Sequence, residues 1–192
     1  MEDKVQGKTK VHWGKLNQKT PLVFTDGSAF YKKLAKKYKT HRVGYFILTP
    51  SGAGKTYFIE RQKNKDWLDG DELWEGANAH PKGPWWLLPL ADLIEIEQKS
   101  DVITQQAKKL GFWILGSVNN WLKPDAIVLP HWTQHKKYIA KRQAESYDGG
   151  ATTDMFAQVL HHRKWIKQWT RQGVPLFESV DEATNFLARK KN

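Results

Sequence analysis

The chain contains no cysteine, and that absence excludes disulfides, thiolate metal sites and cysteine nucleophiles. It also contains no apolar run long enough to cross a bilayer. The opening segment, MEDKVQGKTKVHWGK, holds no apolar stretch of the kind that a secretory signal needs. We therefore expect a cytoplasmic protein with no membrane partner, and these features are also compatible with a viral or phage origin.

Acidic residues are scarce outside one segment of the chain. The formal net charge is +11, and residues 1–41 carry ten lysines against three acids. Residues 60–101 reverse this balance, with ten acids against five bases. A basic N-terminal segment favours an anionic partner, with nucleic acid first, although a solubilising tail fits the same composition. We interpret residues 1–20 as a flexible basic arm and residues 21–192 as one domain.

Apolar runs that are typical of buried strands alternate with helical patterns along the domain. Five strands are predicted, at residues 43–50, around Trp67-Leu68, and at residues 112–117, 125–130 and 174–180. Helices are predicted over residues 28–39, 55–62, 90–111, 131–147, 154–173 and 181–191. A break near Ser100 is left open, Gly111 is a helix stop, and Ser179 or Asp181 caps the last helix. This alternation predicts an α/β fold, namely a doubly wound, mainly parallel five-stranded sheet with helices on both faces.

The most specific motif is TPSGAGKT, residues 49–56, which follows the first predicted strand and opens a helix. It ends as a phosphate-binding loop of the pattern G-x-x-x-x-G-K-[ST] does, but Thr49 stands in place of the first glycine. In such a loop, backbone N–H groups surround a polyphosphate, the lysine reaches the β- and γ-phosphates, and the last hydroxyl binds magnesium. We therefore predict binding of ATP and Mg²⁺ by Ser51, Gly52, Ala53, Gly54, Lys55 and Thr56.

Thr49 leaves the geometry of this loop open. A β-branched residue does not easily adopt positive φ, so Thr49 alters the loop if this position needs a left-handed backbone. It is harmless if the residue only ends the strand. The alternative interpretation of the whole motif is a glycine-rich turn with an exposed lysine.

A second cluster, Asp69-Gly70-Asp71, ends the second predicted strand. Because the carboxyl ends of parallel strands form one rim of a sheet, we expect these carboxylates opposite the phosphate loop. One carboxylate can hold magnesium there, while the other accepts the proton of an attacking hydroxyl. We assign Asp71 as general base or acceptor ligand and Asp69 as the metal-binding partner of Thr56, with the reverse assignment open. A solvated acidic turn is the alternative, since Asp-Gly is a common turn pair.

The chain resembles the small P-loop phosphotransferases in one stretch, which consists of a strand, SGAGKT, a helix and then LDGDELW. These are the gluconate, shikimate and adenylylsulfate kinases, the nucleoside monophosphate kinases and the kinase domains of polynucleotide kinases. The resemblance covers the chain from about residue 43 to the C-terminus, and it implies a P-loop NTPase fold of the kinase type. The chain departs from the family pattern at Thr49, in the absence of an arginine just after Asp71, and in its N-terminal 40 residues.

The resemblance also implies roles for residues beyond the two motifs. Gly116 and Ser117 correspond to small residues near the phosphate acceptor. Residues 131–150 correspond to a mobile lid whose cations grip the transferring phosphate, which makes Lys137, Lys141 and Arg142 lid candidates, with Arg142 in a catalytic role. The segment VPLFESVDEATNFL corresponds to the part of these kinases that lies beside adenine.

Tryptophan is unusually frequent, with ten residues in the chain. Trp85, Trp86 and Trp121 lie in predicted loops, where an indole can stack on a base or a sugar. Trp165 and Trp169 are four apart on a predicted helix and are assigned to the core. His131 and His135 are also four apart, but no carboxylate at helical spacing completes a metal site, so surface or lid positions near phosphate are favoured for the histidines.

Together these features predict an ATP-dependent phosphotransferase that moves the γ-phosphate to a hydroxyl or phosphate acceptor. Charge and tryptophan content favour a nucleotide or the 5′ end of a polynucleotide as the acceptor. The sequence DGDEL favours a small hydroxylated metabolite instead. A non-catalytic nucleic-acid-binding protein on a nucleotide-binding fold is the alternative of a different class.

Overall fold

A computed structural model describes residues 33–76, 79, 88–146 and 150–190 of the chain. Several predicted features lie outside the described residues. They are the basic arm at residues 1–20, the helix start near residue 28, Trp85 and Trp86.

The described chain is built on a five-stranded sheet in which every pairing is parallel. The strands are β1 (Tyr45–Leu48), β2 (Trp67–Asp69), β3 (Trp113–Gly116), β4 (Ala126–Val128) and β5 (Leu176–Phe177), in the spatial order β2-β3-β1-β4-β5. All four residues of the central strand β1 are buried, as expected for a continuous apolar run covered on both faces. The five predicted strands and the α/β class are therefore confirmed.

Helices connect and cover these strands. The first described helix, α1, includes residues 33–37. It is followed by α2 (Lys55–Arg61), α3 (Gly70–Gly76), α4 (Leu90–Lys109), α5 (Trp132–Ala144), α6 (Phe156–Lys167) and α7 (Val180–Arg189). Helix α2 contacts α7, and α3 contacts α4. Because parallel crossovers are right-handed, we expect these two pairs on opposite faces of the sheet. None of the described helices is long and apolar enough to cross a membrane.

The clearest differences from the sequence prediction concern three helices. Helix α3 was not predicted, because its first residues are the turn-forming Asp-Gly-Asp sequence. Helix α4 runs without a break through Ser100, whose hydroxyl donates to the carbonyl of Ile96 at 2.9 Å. The long helix predicted over residues 154–173 is wrong at both ends, where 3₁₀ segments (Thr153–Met155 and Gln168–Gln172) flank α6.

The predicted signals at two helix ends are present. Gly111 has φ 89°, a left-handed conformation that stops α4. Ser179 caps α7, since its hydroxyl accepts the N–H of Glu182 at 3.2 Å. Trp165 and Trp169 are buried in the main core, as predicted.

Candidate functional site

The loop between β1 and α2, residues 49–54, will be called the glycine loop. Its backbone turns sharply at Gly52 (φ 80°) and Gly54 (φ 95°), both in the left-handed region. L-residues with side chains rarely adopt that region, so glycine suits both positions. The N–H of Ala53 donates to the carbonyl of Pro50 at 3.2 Å and closes the turn. Helix α2 begins directly at Lys55.

Thr49 behaves as the last residue of the strand. Among the described residues, the only ones other than glycine with positive φ are Lys65 and Ser146, so Thr49 has an ordinary backbone conformation. Its N–H donates to the carbonyl of Gly116 at 2.9 Å and continues the ladder between β1 and β3. The missing first glycine therefore causes no backbone strain.

Lys55, Asp69 and Asp71, named the loop cluster, meet at the carboxyl ends of β1 and β2. Lys55 Nζ donates to Asp69 Oδ1 at 2.5 Å and also to Asp71 Oδ2. The N–H of Asp71 donates to Asp69 Oδ1 at 2.9 Å, which orients that carboxylate. The Lys55 and Asp69 side chains are only 11% and 14% exposed, whereas Asp71 is 45% exposed. The Asp-Gly-Asp sequence is therefore not a solvated turn, and Lys55 is not an exposed lysine.

Burial and charge act in opposite directions on the loop cluster. Burial lowers the pKa of Lys55, but the attraction of Asp71 and Asp69 outweighs it, so its pKa is raised and the ammonium stays charged. Burial raises the pKa of Asp69, and Asp71 raises it further, while Lys55 opposes both. One lysine thus faces two carboxylates, and the cluster carries one negative charge in excess when all three are ionised.

Helix α5 lies directly against the glycine loop. His135 Nε2 is 2.8 Å from the Ser51 carbonyl oxygen. Ile139, one turn later, would be 2.6 Å from a Cβ placed on Gly52. The Ser51 hydroxyl accepts the N–H of Ala151 at 3.0 Å. Residues far along the chain therefore hold the first half of the loop.

The three lid candidates on α5 have different surroundings. Arg142 donates to the carbonyl of Ala151 at 3.0 Å, so it supports the segment that bonds Ser51. Lys137 is exposed, and Lys141 forms an exposed ion pair with Glu145 at 3.7 Å. Among the ion pairs of the described residues, none joins either lysine to the loop cluster.

The remaining predicted residues lie around the carboxyl end of β3 and the start of α2. Gly116 packs tightly on an indole, since a Cβ there would lie 2.8 Å from two ring atoms of Trp74. Trp121 is half-buried, and its main-chain N–H donates to the buried carboxylate of Asp101 at 2.6 Å. Ser117 is half-buried after β3, and Thr56 is half-buried in the first turn of α2.

Sequence reasoning weighed His135 as a metal ligand and favoured a surface or lid position near phosphate, but it missed that this histidine is buried against the loop. One signal was available: Trp132, His135 and Ile139 recur on one face of an otherwise basic helix. That face packs against the loop and against Phe156.

No protein-family model matches this chain, and no curated protein matches it significantly.

Proposed function

We propose that this protein is an ATP-dependent phosphotransferase with a P-loop NTPase fold of the kinase type. The observation that carries the proposal is the loop cluster, in which Lys55 at the end of a glycine loop meets two carboxylates from the next strand. Phosphoryl transfer needs a cation for the β- and γ-phosphates, an oxygen ligand for a metal ion and a base for the acceptor. The three side chains supply these groups at one rim of a parallel sheet.

The glycine loop fits the phosphates of ATP. Gly54 occupies the N-cap of α2 and has no side chain to cap the free N–H groups of the first helical turn. The left-handed glycines let a polyphosphate approach the backbone closely. Lys55 would exchange its carboxylate partners for phosphate oxygens, a short movement of a flexible side chain.

A magnesium ion fits the donors that adjoin the loop. The Thr56 hydroxyl and the Asp69 carboxylate are oxygen ligands of the kind Mg²⁺ prefers, and they would share the ion with phosphate oxygens. The excess carboxylate of the loop cluster also favours a cation. When bound, the ion neutralises charge on the phosphates.

Asp71 suits the general base. It is the more exposed of the two carboxylates, at 45% against 14% for Asp69. An acceptor hydroxyl in solvent can therefore reach Asp71, while Asp69 is less exposed and is oriented by the N–H of Asp71. The difference in exposure supports Asp71 as base and Asp69 as metal ligand.

An anionic acceptor is favoured by the charge of the helices next to the loop. Helices α5 and α6 contain no acidic residue, and α5 contacts the glycine loop through His135. Their exposed cations are Lys137, Lys141, Lys164 and Lys167. A surface of this sign attracts a nucleotide or a polynucleotide 5′ end more strongly than a neutral sugar.

The test is transfer of labelled γ-phosphate from ATP to a panel of acceptors. The panel holds 5′-hydroxyl DNA and RNA, nucleoside monophosphates, nucleosides, and gluconate- and shikimate-type metabolites. Lys55→Ala and Asp71→Asn are compared with Lys63→Ala, a matched change of an exposed lysine. We expect label on one class of acceptor with wild type and Lys63→Ala, and none with the other two variants. ATP and nucleic acid both bound without any transfer would contradict the phosphotransferase and leave a nucleic-acid-binding protein.

A further inference from the structure

We infer that His135 is a positioning residue for the phosphate-binding loop, in which its Nε2–H group fixes the orientation of the Ser51–Gly52 peptide. The inference rests on the proposed function, since it assigns a purpose to a contact with the loop that would hold ATP. His135 is fully buried, on a helix that follows β4, 84 residues after Ser51.

The neighbours of His135 determine which ring nitrogen carries the proton. One guanidinium nitrogen of Arg163 lies 2.9 Å from His135 Nδ1, and the other donates to the carbonyl of Pro130 at 2.7 Å. Arginine is only a donor, so Nδ1 must accept. The proton of the neutral ring is then on Nε2, which donates to the Ser51 carbonyl at 2.8 Å.

The bond to the Ser51 carbonyl has a consequence for the next N–H group. In a planar trans peptide, the C=O and the N–H point in opposite directions. Holding the Ser51 carbonyl towards His135 therefore turns the Gly52 N–H away from α5. Gly52 has no Cβ, so its backbone can adopt φ 80° and can also leave it easily, and an external bond helps to hold one orientation.

The surroundings keep the ring neutral and dry. Trp132 packs edge-on against His135, with ring centroids 5.9 Å apart, and it also lies under the Arg163 guanidinium. Burial lowers the pKa of His135 to about 4, partly opposed by the bond to Ser51 and assisted by the positive charges of Arg163 and Arg142. A neutral ring can both accept from Arg163 and donate to Ser51 at the same time, whereas an imidazolium has no acceptor.

A second contact holds Ser51 through its side chain. The N–H of Ala151 donates to Ser51 Oγ, and Arg142 holds the Ala151 carbonyl. The Ser51 main chain is thus bonded to His135, and its side chain is bonded to Ala151. Helix α5, which belongs to the segment expected to act as a lid, is therefore bonded to the glycine loop through His135.

The experiment measures equilibrium binding of ATP and of inorganic tripolyphosphate by calorimetry. The variants are His135→Ala, which removes the donor, and His135→Gln, whose amide nitrogen reaches the position of Nε2 and can still donate to Ser51. Gln134→Ala, an exposed change on the same helix, is the control. We expect His135→Ala to weaken both ligands about tenfold, the equivalent of one lost hydrogen bond. His135→Gln should recover most of the affinity, and Gln134→Ala should match wild type.

A second measurement needs no variant to fold. In ¹⁵N-labelled wild-type protein, the His135 ring should be protonated at Nε2 and not at Nδ1, and its resonances should shift when tripolyphosphate is added. Wild-type affinity in His135→Ala, equal losses in the Ala and Gln variants, or a proton on Nδ1 would each overturn the role of His135 alone. Absence of binding by the wild-type protein would instead overturn the proposed function, and this inference with it.

Discussion

Among the described residues, lysine–aspartate contacts lie at both ends of the sheet, and the two groups differ in their balance of charge. At the amino ends of the strands, Lys108 meets Asp125 at 2.6 Å, and Asp125 also accepts the N–H of Phe46 at 2.6 Å. This is one cation for one anion, and both carboxylate contacts tie α4 and β1 to the start of β4. At the carboxyl ends, the loop cluster sets one lysine against two aspartates.

The difference separates a stabilising ion pair from a candidate reaction site. The Lys108–Asp125 pair is complete and adjoins regular strands. The loop cluster has an unbalanced carboxylate, one half-exposed member and two left-handed glycines beside it. We therefore expect changes at the amino ends to affect stability, and changes at the carboxyl ends to affect ligand binding and transfer.

Lys55→Ala against Lys108→Ala should give a large contrast in the rate of phosphate transfer. Loss of a cation that stabilises transferring charge typically costs 10²–10³ in rate, so we expect Lys55→Ala to reduce phosphate transfer by about that factor. Lys108→Ala should transfer at the wild-type rate. Transfer is measured with the acceptor identified in the panel, and folding is checked by circular dichroism. Equal rates in the two variants would contradict the comparison.

Removal of one carboxylate from each end of the sheet should give opposite results, with a loss of transfer in one variant and a loss of stability in the other. We expect Asp71→Ala to reduce transfer by about 10²–10⁴, as for loss of a general base. Because Asp71 is half-exposed and Lys55 keeps Asp69, the free energy of unfolding should change by less than about 1 kcal/mol. Asp125→Ala should leave transfer unchanged and lower the free energy of unfolding by about 1–3 kcal/mol, since the Phe46 N–H loses its acceptor. Urea unfolding measures the free energy of unfolding of both variants. A larger loss in Asp71→Ala than in Asp125→Ala would contradict the interpretation.

The carboxyl end also contains the buried His135, and its pKa predicts a pH dependence. The folded pKa is lowered from 6.5 to about 4, so the unfolded chain binds this proton first as the pH falls. The contribution of His135 to the free energy of unfolding is therefore at its maximum above pH 6.5. It declines between pH 6.5 and 4, by about 3 kcal/mol in total. His135→Gln cannot titrate. Wild type should lose that much more stability than His135→Gln over this interval, and parallel curves would show that His135 is not responsible.

Two glycines offer the smallest contrast. Gly52 and Gly173 both have left-handed backbones, with φ 80° and 72°. Alanine at 173 would meet nothing within 4 Å, so it should cost about 1 kcal/mol of stability from backbone strain alone. Alanine at 52 would also meet Ile139 at 2.6 Å, and it should weaken ATP binding as well. ATP titration of both variants is the measurement, and unchanged affinity in Gly52→Ala would contradict the placement of the phosphates.

Local sequence was sufficient for most of the fold. Strands β1, β3 and β4 are short apolar runs whose burial follows from their composition, whereas Leu176 in the edge strand β5 is exposed. Lys55 and the two aspartates were also expected at one rim, because parallel strands place their carboxyl ends together. Helix α3 was missed, since Asp-Gly-Asp reads as a turn and only tertiary burial of Leu73 and Trp74 makes it the start of a helix.

The contacts around Ser51 could not be derived from local sequence. His135 and Ala151 are 84 and 100 residues away from Ser51, and no periodicity connects positions so far apart. The φ of Thr49 was equally undetermined, because the motif alone does not say whether its first position belongs to the strand or to the turn. Only the hydrogen bond from Thr49 to Gly116 decides that question.

The long span between Ser51 and its partners also has a consequence for the order of folding. Closing segments of 84 and 100 residues costs chain entropy before any contact forms, so these bonds are expected among the later events. During synthesis, β1 and the glycine loop emerge well before residues 135 and 151 exist. The loop would acquire its final shape only after residue 151 has been made. Stopped-flow refolding should therefore show burial of the tryptophans before recovery of ATP binding, and simultaneous recovery would contradict this order.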